Sequence, residues 1–272
     1  MIFFLILLFI ILAVICFIAR SAHYIPVLMY HRIADVKNDR NSLSVEKLAW
    51  QLNYLHKKNY HTITLDMLYD FYAIRKKLPS KSILLTFDDG YADNYTAALP
   101  LLVKYKMTAV VFPIGNWIGK KNNWENLGKE ETITMTKEQL LDWQQHGQLI
   151  ASHTMTHPFL TNCTESKIID ELHDSRQLLS NALSADGDFL CYPYGNFNES
   201  VAAAAKKTGY KAAFAIFEGV NLFHIDLYAL PRIPIPSHQS KWEFILKTSR
   251  LFILFIALRK WERGFKKWRR KR

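Results

Sequence analysis

Short apolar segments alternate with amphipathic segments along most of this chain, and that alternation strongly limits the folds open to it. Apolar runs such as 83–85, 149–151 and 212–216 have the length of buried strands, whereas the stretches between them repeat apolar residues at helical spacing. Strands that alternate with helices predict an α/β fold with a parallel sheet, closed or nearly closed into a barrel of about seven strands. A chain of 272 residues without an internal linker fits one such barrel with short extensions.

Acidic and imidazole side chains follow two of these apolar runs. Asp88 and Asp89 come directly after one run, and His153 and His157 follow another. Because the carboxyl ends of parallel strands meet at one edge of a sheet, we expect the four side chains to lie together. Two carboxylates and two imidazoles together supply the ligands of a divalent metal and a base beside it. Taken singly, the aspartate pair could also belong to an ordinary turn, and the histidine pair could be surface or packed core residues.

The spacing within each pair suggests which side chains could bind the metal and which could contact a water molecule. Adjacent residues that leave a strand point in different directions, so one aspartate can bind a metal while the other reaches a water molecule. Gly90 permits the sharp turn that follows them. The two histidines stand four positions apart, and one helical turn over 154–157 would place both imidazoles on the same face.

A third strand end carries a turn rich in aromatic residues. Tyr192, Pro193 and Tyr194 follow the apolar run 189–191 and precede a glycine. The ring of Tyr194 offers a flat face suited to a sugar, and the backbone N–H of Tyr192 could face a developing oxyanion. The alternative is a turn that only closes the strand.

Together the three motifs resemble those of the polysaccharide deacetylase (NodB-homology) family, carbohydrate esterase family 4. The family motifs read T-F-D-D-G, H-[ST]-x-x-H-P and R-x-P-[FY]-[GR], and the resemblance covers roughly residues 26–235. It implies a distorted (β/α)7 barrel. It also implies that Asp88 is the general base and that Asp89, His153 and His157 hold a divalent metal, usually Zn²⁺ and in some members Co²⁺ or a similar ion.

Two departures from the family pattern suggest a particular branch. Cys191 stands where many members have an arginine beside the base, and the usual late Leu-x-His motif is missing. An apolar run instead precedes His31 near the start of the chain, which resembles the branch that deacetylates poly-β-1,6-N-acetylglucosamine through a circularly permuted barrel. We therefore expect His31 to be the general acid, although it could also be a simple strand end. Arg232 is the candidate to replace the missing arginine beside Asp88.

The resulting expectation is a metal-dependent hydrolase that removes N-acetyl groups from an exported poly-β-1,6-N-acetylglucosamine. A peptidoglycan N-acetylglucosamine deacetylase is the alternative within the same class of enzyme. A membrane-bound glycan-binding protein that has lost catalysis is the alternative from another class, and Cys191 is its main support. The intact base, Asp88, argues against it because a binding protein needs no base.

The sequence pattern of residues 1–20 predicts a membrane anchor. The barrel is expected to follow it at 25–240. Eighteen consecutive apolar residues, 2–19, end at Arg20 and nearly span a ~30 Å hydrocarbon core. A cleaved signal peptide, which would make the protein secreted, is the alternative. The basic residues near this segment follow it and favour a cytoplasmic barrel, whereas the expected substrate requires a single-pass protein with its barrel outside the cell. These two arguments conflict.

The last part, 241–272, is where the positive charge concentrates. Nine Lys or Arg and one Glu lie in 259–272, so this tail carries +8 of the net charge of +11. Leu258, Trp261, Phe265 and Trp268 recur at helical spacing among these cations, a pattern typical of a helix lying on anionic lipid. The alternatives are a docked last helix with a solvated basic end and, least favoured beside a membrane anchor, a nucleic-acid contact. We therefore expect membrane lipid at both termini and no nucleic acid.

Overall fold

The computed structural model describes residues 24–121, 132–183, 185, 187–216, 225–256 and 258–259 of the chain. The predicted anchor at 1–20 and the basic tail at 260–272 lie outside these residues. Within the described ranges, no helix combines the length and the apolar character needed to cross a bilayer.

The elements alternate as the sequence pattern predicts. The strands are β1 (Val27–Tyr30), β2 (His61–Thr62), β3 (Ser82–Asp89), β4 (Val110–Pro113), β5 (Leu149–Ile150), β6 (Phe189–Cys191), β7 (Ala212–Ile216) and β8 (Leu230–Pro234). The helices are α1 (Val45–Lys57), α2 (Leu65–Ala73), α3 (Leu99–Tyr105), α4 (Lys137–Gln145), α5 (Glu165–Leu183), α6 (Glu199–Lys207) and α7 (Lys241–Thr248). A π-helical stretch, Asn94–Ala98, leads into α3.

All strand pairs are parallel, and the sheet curls as the barrel prediction requires. Its order is β5-β4-β3-β1-β8-β7-β6, and the short β2 pairs with β3 outside this path. An isolated bridge between Ser152 and Leu190 joins the two ends of the curled sheet. The carboxyl ends of seven strands therefore meet around one rim. The predicted circular permutation is a difference in the order of elements between this chain and other family members. It stays a prediction.

Helix starts and core positions follow from local sequence. Ser44 and Thr136 cap α1 and α4 by accepting a hydrogen bond from a backbone N–H in the first turn, which satisfies a group that the helix leaves unpaired. The apolar stripe of α1, Leu48, Leu52 and Leu55, recurs at helical spacing and is fully buried against the barrel. Burying such a stripe is the main contribution to helix stability in a folded domain.

The start of the C-terminal segment is docked on the barrel. Phe244 of α7 is fully buried, with its ring 6.0 Å from the ring of Trp50 at a steep angle. Phe252 and Ile253, in the helical residues that follow α7, also belong to the core. This agrees with the docked-helix alternative for residues 241–256.

Candidate active site

Strand β3 carries two buried carboxylates to the rim. Each of its residues is buried, and Asp88 and Asp89 at its end are both 3% exposed. Asp89 and Gly90 then have φ values of 69° and 68°, so the chain turns sharply. A Cβ on Gly90 would lie 3.0 Å from the Cα of Pro113, which explains the glycine at the point where β4 ends beside this turn.

Asp88 forms a two-pronged ion pair with Arg232 of β8. The guanidinium Nη1 lies 2.5 Å from Oδ1 and Nη2 lies 2.8 Å from Oδ2, and Nη1 also donates to the hydroxyl of Thr86. Burial alone would raise the pKa of Asp88, but the charge and hydrogen bonds of Arg232 outweigh it and hold that pKa well below its usual range. Asp88 is therefore ionised and fixed in orientation, with its predicted arginine beside it.

His31 lies on the neighbouring strand end. Strand β1 pairs with β3 so that Tyr30 is opposite Phe87, and the next residue, His31, reaches the same rim. Its Nε2 is 3.9 Å from Oδ2 of Asp88, and its backbone carbonyl accepts a 2.7 Å hydrogen bond from the side chain of Asn94. The predicted acid and the predicted base thus face one cleft, although 57 positions separate them in sequence.

The loop that carries His153 and His157 differs from the predicted helical turn. Thr154 and His157 both have left-handed backbone, with φ values of 67° and 60°. The N–H of His157 bonds to the hydroxyl of Thr154 rather than to a carbonyl one turn back. The prediction of a helical turn was wrong, yet the loop still directs both imidazoles inward.

A buried carboxylate, Glu171 of α5, explains the shape of this loop. It accepts hydrogen bonds of 2.9 and 2.8 Å from the backbone N–H groups of Met155 and Thr156, and one of 2.6 Å from the Thr156 hydroxyl. The Nζ of Lys167 lies 2.8 Å from Oε1 of Glu171, the oxygen that also accepts from the Thr156 hydroxyl. Burial tends to raise the pKa of Glu171, but Lys167 and the Thr156 groups lower it below its usual value. Glu171 therefore stays charged and holds the loop.

Sequence reasoning missed Glu171, although one signal was present. It occupies a position on the stripe of α5 that otherwise faces inward, three residues after Ile168 and one before Leu172. An acid on a buried helix face requires a partner inside the protein. Here that partner is the histidine loop.

Asp89 and the two histidines are a candidate ligand set for a divalent metal. The Nε2 atoms of His153 and His157 each lie 3.4 Å from Oδ1 of Asp89, and one potential ligand atom from each residue lies within 4.8 Å of the others. The carbonyl of Cys191 is 2.8 Å from Nδ1 of His153, which turns Nε2 toward Asp89. Three inward-facing ligands of this kind leave one position open, as in catalytic zinc sites.

The protonation of Asp89 and His157 fits a metal as well. Burial would lower the pKa of His153, but Cys191, Asp89 and Asp88 raise it well above its usual value, so a metal would have to displace that proton. Among the described residues, none donates a hydrogen bond to the buried Oδ1 of Asp89. Burial lowers the pKa of His157 to about 4, which leaves its imidazole neutral and able to coordinate. Burial would raise the pKa of Asp89, but His153 and His157 hold it below its usual value. A buried anion that faces two imidazoles is therefore suited to a cation between them.

Cys191 belongs to a second cluster that fits a metal less well. Its sulfur lies 3.7 Å from Oδ2 of Asp88, and His153 completes the group. Burial raises the pKa of the Cys191 thiol, which therefore stays protonated, and both oxygens of Asp88 already bond to Arg232. Metal ligands need free electron pairs, so Asp89, His153 and His157 are the better set.

The cleft above these residues has a volume of about 330 Å³. Its wall includes Tyr194, which is 42% exposed and stacks on Phe159 with ring centroids 3.9 Å apart. The ring of Tyr194 also lies 4.5 Å from that of His157. An exposed aromatic surface therefore adjoins the ligand set.

Only Tyr194 of the three predicted substrate-binding residues reaches the cleft. Tyr192 is fully buried and stacks on Phe197, while its N–H donates a 3.0 Å hydrogen bond to the carbonyl of Phe214 in the sheet. The predicted oxyanion contact from Tyr192 was therefore wrong, because the pairing of β6 with β7 uses that N–H. Pro193 is buried too and starts the turn that presents Tyr194.

Comparisons with known proteins agree with this arrangement. Residues 75–213 match the polysaccharide deacetylase family. The protein YxkH of Bacillus subtilis, whose name places it among the polysaccharide deacetylases, is 36% identical over 218 residues, covering 79% of this chain and 73% of its own. Poly-β-1,6-N-acetyl-D-glucosamine N-deacetylases of Staphylococcus aureus are 27% identical over 220 residues, covering 79% of this chain and 75% of theirs.

Solved structures show the same fold. The Streptococcus pyogenes deacetylase PplD, in complex with acetate, superposes with a TM-score of 0.73 at 24% identity, over 83% of this chain and 98% of its own. IcaB from Ammonifex degensii superposes with a TM-score of 0.70 at 24% identity, over 82% of this chain and 95% of its own.

Proposed function

The chain belongs to the polysaccharide deacetylase family, and on this premise we propose that it is a metal-dependent N-deacetylase of poly-β-1,6-N-acetylglucosamine. One observation carries the proposal. Asp88, ionised and bonded to Arg232, lies directly beside the ligand set of Asp89, His153 and His157. A base next to a three-ligand site is what hydrolysis of an acetamide needs.

The metal would be held by Asp89, His153 and His157, and the mixture of one carboxylate and two imidazoles suits Zn²⁺, with Co²⁺ as an alternative. When bound, such an ion acts as a Lewis acid on the acetamide carbonyl and on the attacking water. The His153 Nδ1 contact to the Cys191 carbonyl and the Glu171 contacts to the loop keep both imidazoles directed at Asp89.

Proton transfer would be divided between the two sides of the cleft. Asp88 takes a proton from the attacking water, and the paired Arg232 keeps its carboxylate ionised and oriented for that step. His31 gives a proton to the nitrogen of the departing sugar, because an amine anion is a very poor leaving group. The 3.9 Å between Nε2 of His31 and Oδ2 of Asp88 keeps the two groups within reach of one acetamide.

The choice of polymer is supported by two features. His31 directly follows β1, the strand beside β3 in the sheet, as in the branch that acts on the β-1,6-linked polymer, and the matching relatives from Staphylococcus aureus are named for that substrate. The exposed ring of Tyr194 would lie against a sugar ring. Since the polymer is exported, we place the cleft outside the cell on a membrane-anchored protein.

Acetate release from defined glycans tests this function. The purified chain, loaded with Zn²⁺, is expected to release acetate from oligomers of β-1,6-linked N-acetylglucosamine and much less from β-1,4-linked oligomers or peptidoglycan. Asp88→Asn, which keeps the shape of the side chain, is the matched control and should release almost none. Acetate from peptidoglycan alone would favour the wall-directed alternative. Glycan binding without acetate from any substrate would favour the inactive binding protein.

A further inference from the structure

The two ends of the described chain meet at the end of the barrel opposite the cleft. Tyr24 precedes β1, and its hydroxyl donates a 2.9 Å hydrogen bond to the carbonyl of Lys247 near the end of α7. Its ring lies 6.4 Å from that of Phe252. Because β1 runs from this point toward the rim at His31, both chain ends lie at the amino ends of the strands.

This end of the barrel presents an apolar stripe to solvent. The helical residues after α7 bury Phe252 and Ile253, whereas Leu251, Leu254, Phe255 and Leu258 are 58%, 44%, 36% and 58% exposed. Those four residues are spaced by three, four and seven positions, so they share one helix face. A soluble domain gains nothing from exposing a continuous apolar stripe of this kind.

Exposed cations lie at the same end of the barrel as the stripe. Arg250 immediately precedes it, and it borders a groove of about 540 Å³ together with Tyr24 and Lys81. The loop that leads into β3 from α2 adds Arg75 and Lys77, both exposed, and Lys76, which pairs with Asp70. Cations at helix ends can be explained by the helix dipole, but the cations of this loop lie outside the helices.

The sequence beyond the described residues extends the same character. The segment 259–272, which follows the stripe in sequence, holds nine cations and one acid, and the apolar segment 2–19 ends shortly before Tyr24. Apolar residues flanked by Lys and Arg are the pattern of a surface that binds anionic lipid. A nucleic-acid surface would not require the apolar stripe.

We propose that the amino end of the barrel, with the exposed stripe of Leu251, Leu254, Phe255 and Leu258 and the cations at the same end, rests on an anionic membrane. The catalytic cleft, at the carboxyl ends of the strands, then faces away from the bilayer. This geometry would present the cleft to a polymer in the surrounding medium. The proposal does not depend on the glycan that the cleft accepts, and the sequence of the tail and the structure of the stripe support it independently.

Position-specific fluorescence on the full chain tests the proposal. Cys16 and Cys163 are replaced by Ser, and a polarity-sensitive label is attached at Leu254→Cys or, as a control at the cleft end, at Lys37→Cys. On vesicles of phosphatidylcholine and phosphatidylglycerol, the label at 254 is expected to shift to the blue and to be quenched by a lipid-borne quencher. The label at 37 should keep its emission in water. The shift at 254 should be smaller on phosphatidylcholine alone.

A charge-reversed variant separates lipid attraction from simple proximity to the anchor. Arg75→Glu, Lys77→Glu and Arg250→Glu together should reduce the shift at 254 on anionic vesicles, although the cations of 259–272 remain. Reversal at the cleft end, Lys37→Glu with Lys137→Glu, should leave it unchanged, and circular dichroism checks that each variant is folded. An unshifted label at 254, or an equal shift at 37, overturns the proposal. So does a label at 254 that is shielded without lipid, which would indicate cover by another part of the chain or by a second copy.

Discussion

Asp88 and Asp89 are neighbours with the same burial, yet their carboxylates differ in how completely they are hydrogen-bonded. Both oxygens of Asp88 bond to the guanidinium of Arg232, at 2.5 and 2.8 Å. Oδ1 of Asp89 accepts no hydrogen bond from the described part of the chain and faces two imidazoles at 3.4 Å. The bonds from Arg232 keep the carboxylate of Asp88 ionised and fixed in orientation, whereas the carboxylate of Asp89 has an oxygen left for a cation. This difference supports the proposal that proton chemistry belongs to one side of the cleft and metal binding to the other.

Removing Arg232 should have the largest effect, because it leaves Asp88 charged and buried without the guanidinium that bonds to both of its oxygens. We expect Arg232→Met to lower the free energy of unfolding by about 3–5 kcal/mol and to abolish acetate release. Urea unfolding and the acetate assay measure the two effects. Bound metal should persist in the folded fraction, since Arg232 contacts the other carboxylate.

Arg176→Met is the matched control for that substitution. Arg176 lies 2.7 Å from Asp188, but the two side chains are 33% and 18% exposed. Partly solvated pairs contribute little, so we expect a loss of roughly 1 kcal/mol or less and normal acetate release. Equal losses from both substitutions would mean that the pairing of Asp88 has no special role.

Replacing His31 should affect activity alone. We expect His31→Gln to slow acetate release roughly 10²–10⁴-fold, the usual contribution of a general acid, while metal content and urea midpoint stay the same. His146→Gln removes an imidazole that faces solvent elsewhere and should change nothing. Near-normal release from His31→Gln would show that the acid lies elsewhere.

Glu171 tests the metal side through its supporting loop. We expect Glu171→Gln to weaken metal binding by roughly 10–100-fold, as for other groups that orient metal ligands, because it loosens the backbone at Met155 and Thr156. Competition with a chelator measures the affinity. Lys167→Met, which removes only the exposed cation from the same carboxylate, should have little effect. If folded Glu171→Gln protein bound the metal with unchanged affinity, Glu171 would not orient the metal ligands.

Cys191 should matter least, although it departs most clearly from the family pattern. Its thiol contacts Asp88 at 3.7 Å, a weak interaction beside the bonds from Arg232. We expect Cys191→Ser to change acetate release by less than about tenfold. A complete loss would mean that the thiol, rather than Arg232, prepares the base.

Patterns within short stretches of sequence predicted the parts of the fold that depend on local structure. Apolar runs and helical stripes predicted the alternating strands and helices, and the position of Asp88, Asp89, His153 and His157 after strands predicted their meeting at one rim. That inference works because all parallel strands end on the same side of a sheet. Arg232 is 144 positions from Asp88, and only the family resemblance pointed to it.

The errors arose where distant contacts decide the backbone. The loop before His157 is shaped by Glu171, a residue of another element, so the four-residue spacing alone wrongly predicted a helical turn. The N–H of Tyr192 is used by the register of β6 against β7, which no pattern around that residue reveals. Local sequence fixes which groups reach the rim more reliably than it fixes the direction in which each group points.

Measuring bound metal and acetate release on the same samples tests the division between the two carboxylates most directly. Asp88→Asn and Asp89→Asn make the same chemical change at adjacent positions of equal burial. We predict that Asp88→Asn retains about one Zn²⁺ per chain and releases no acetate, whereas Asp89→Asn loses both. If both variants kept the metal, or if both lost it, the assignment of proton and metal chemistry to separate carboxylates would be contradicted.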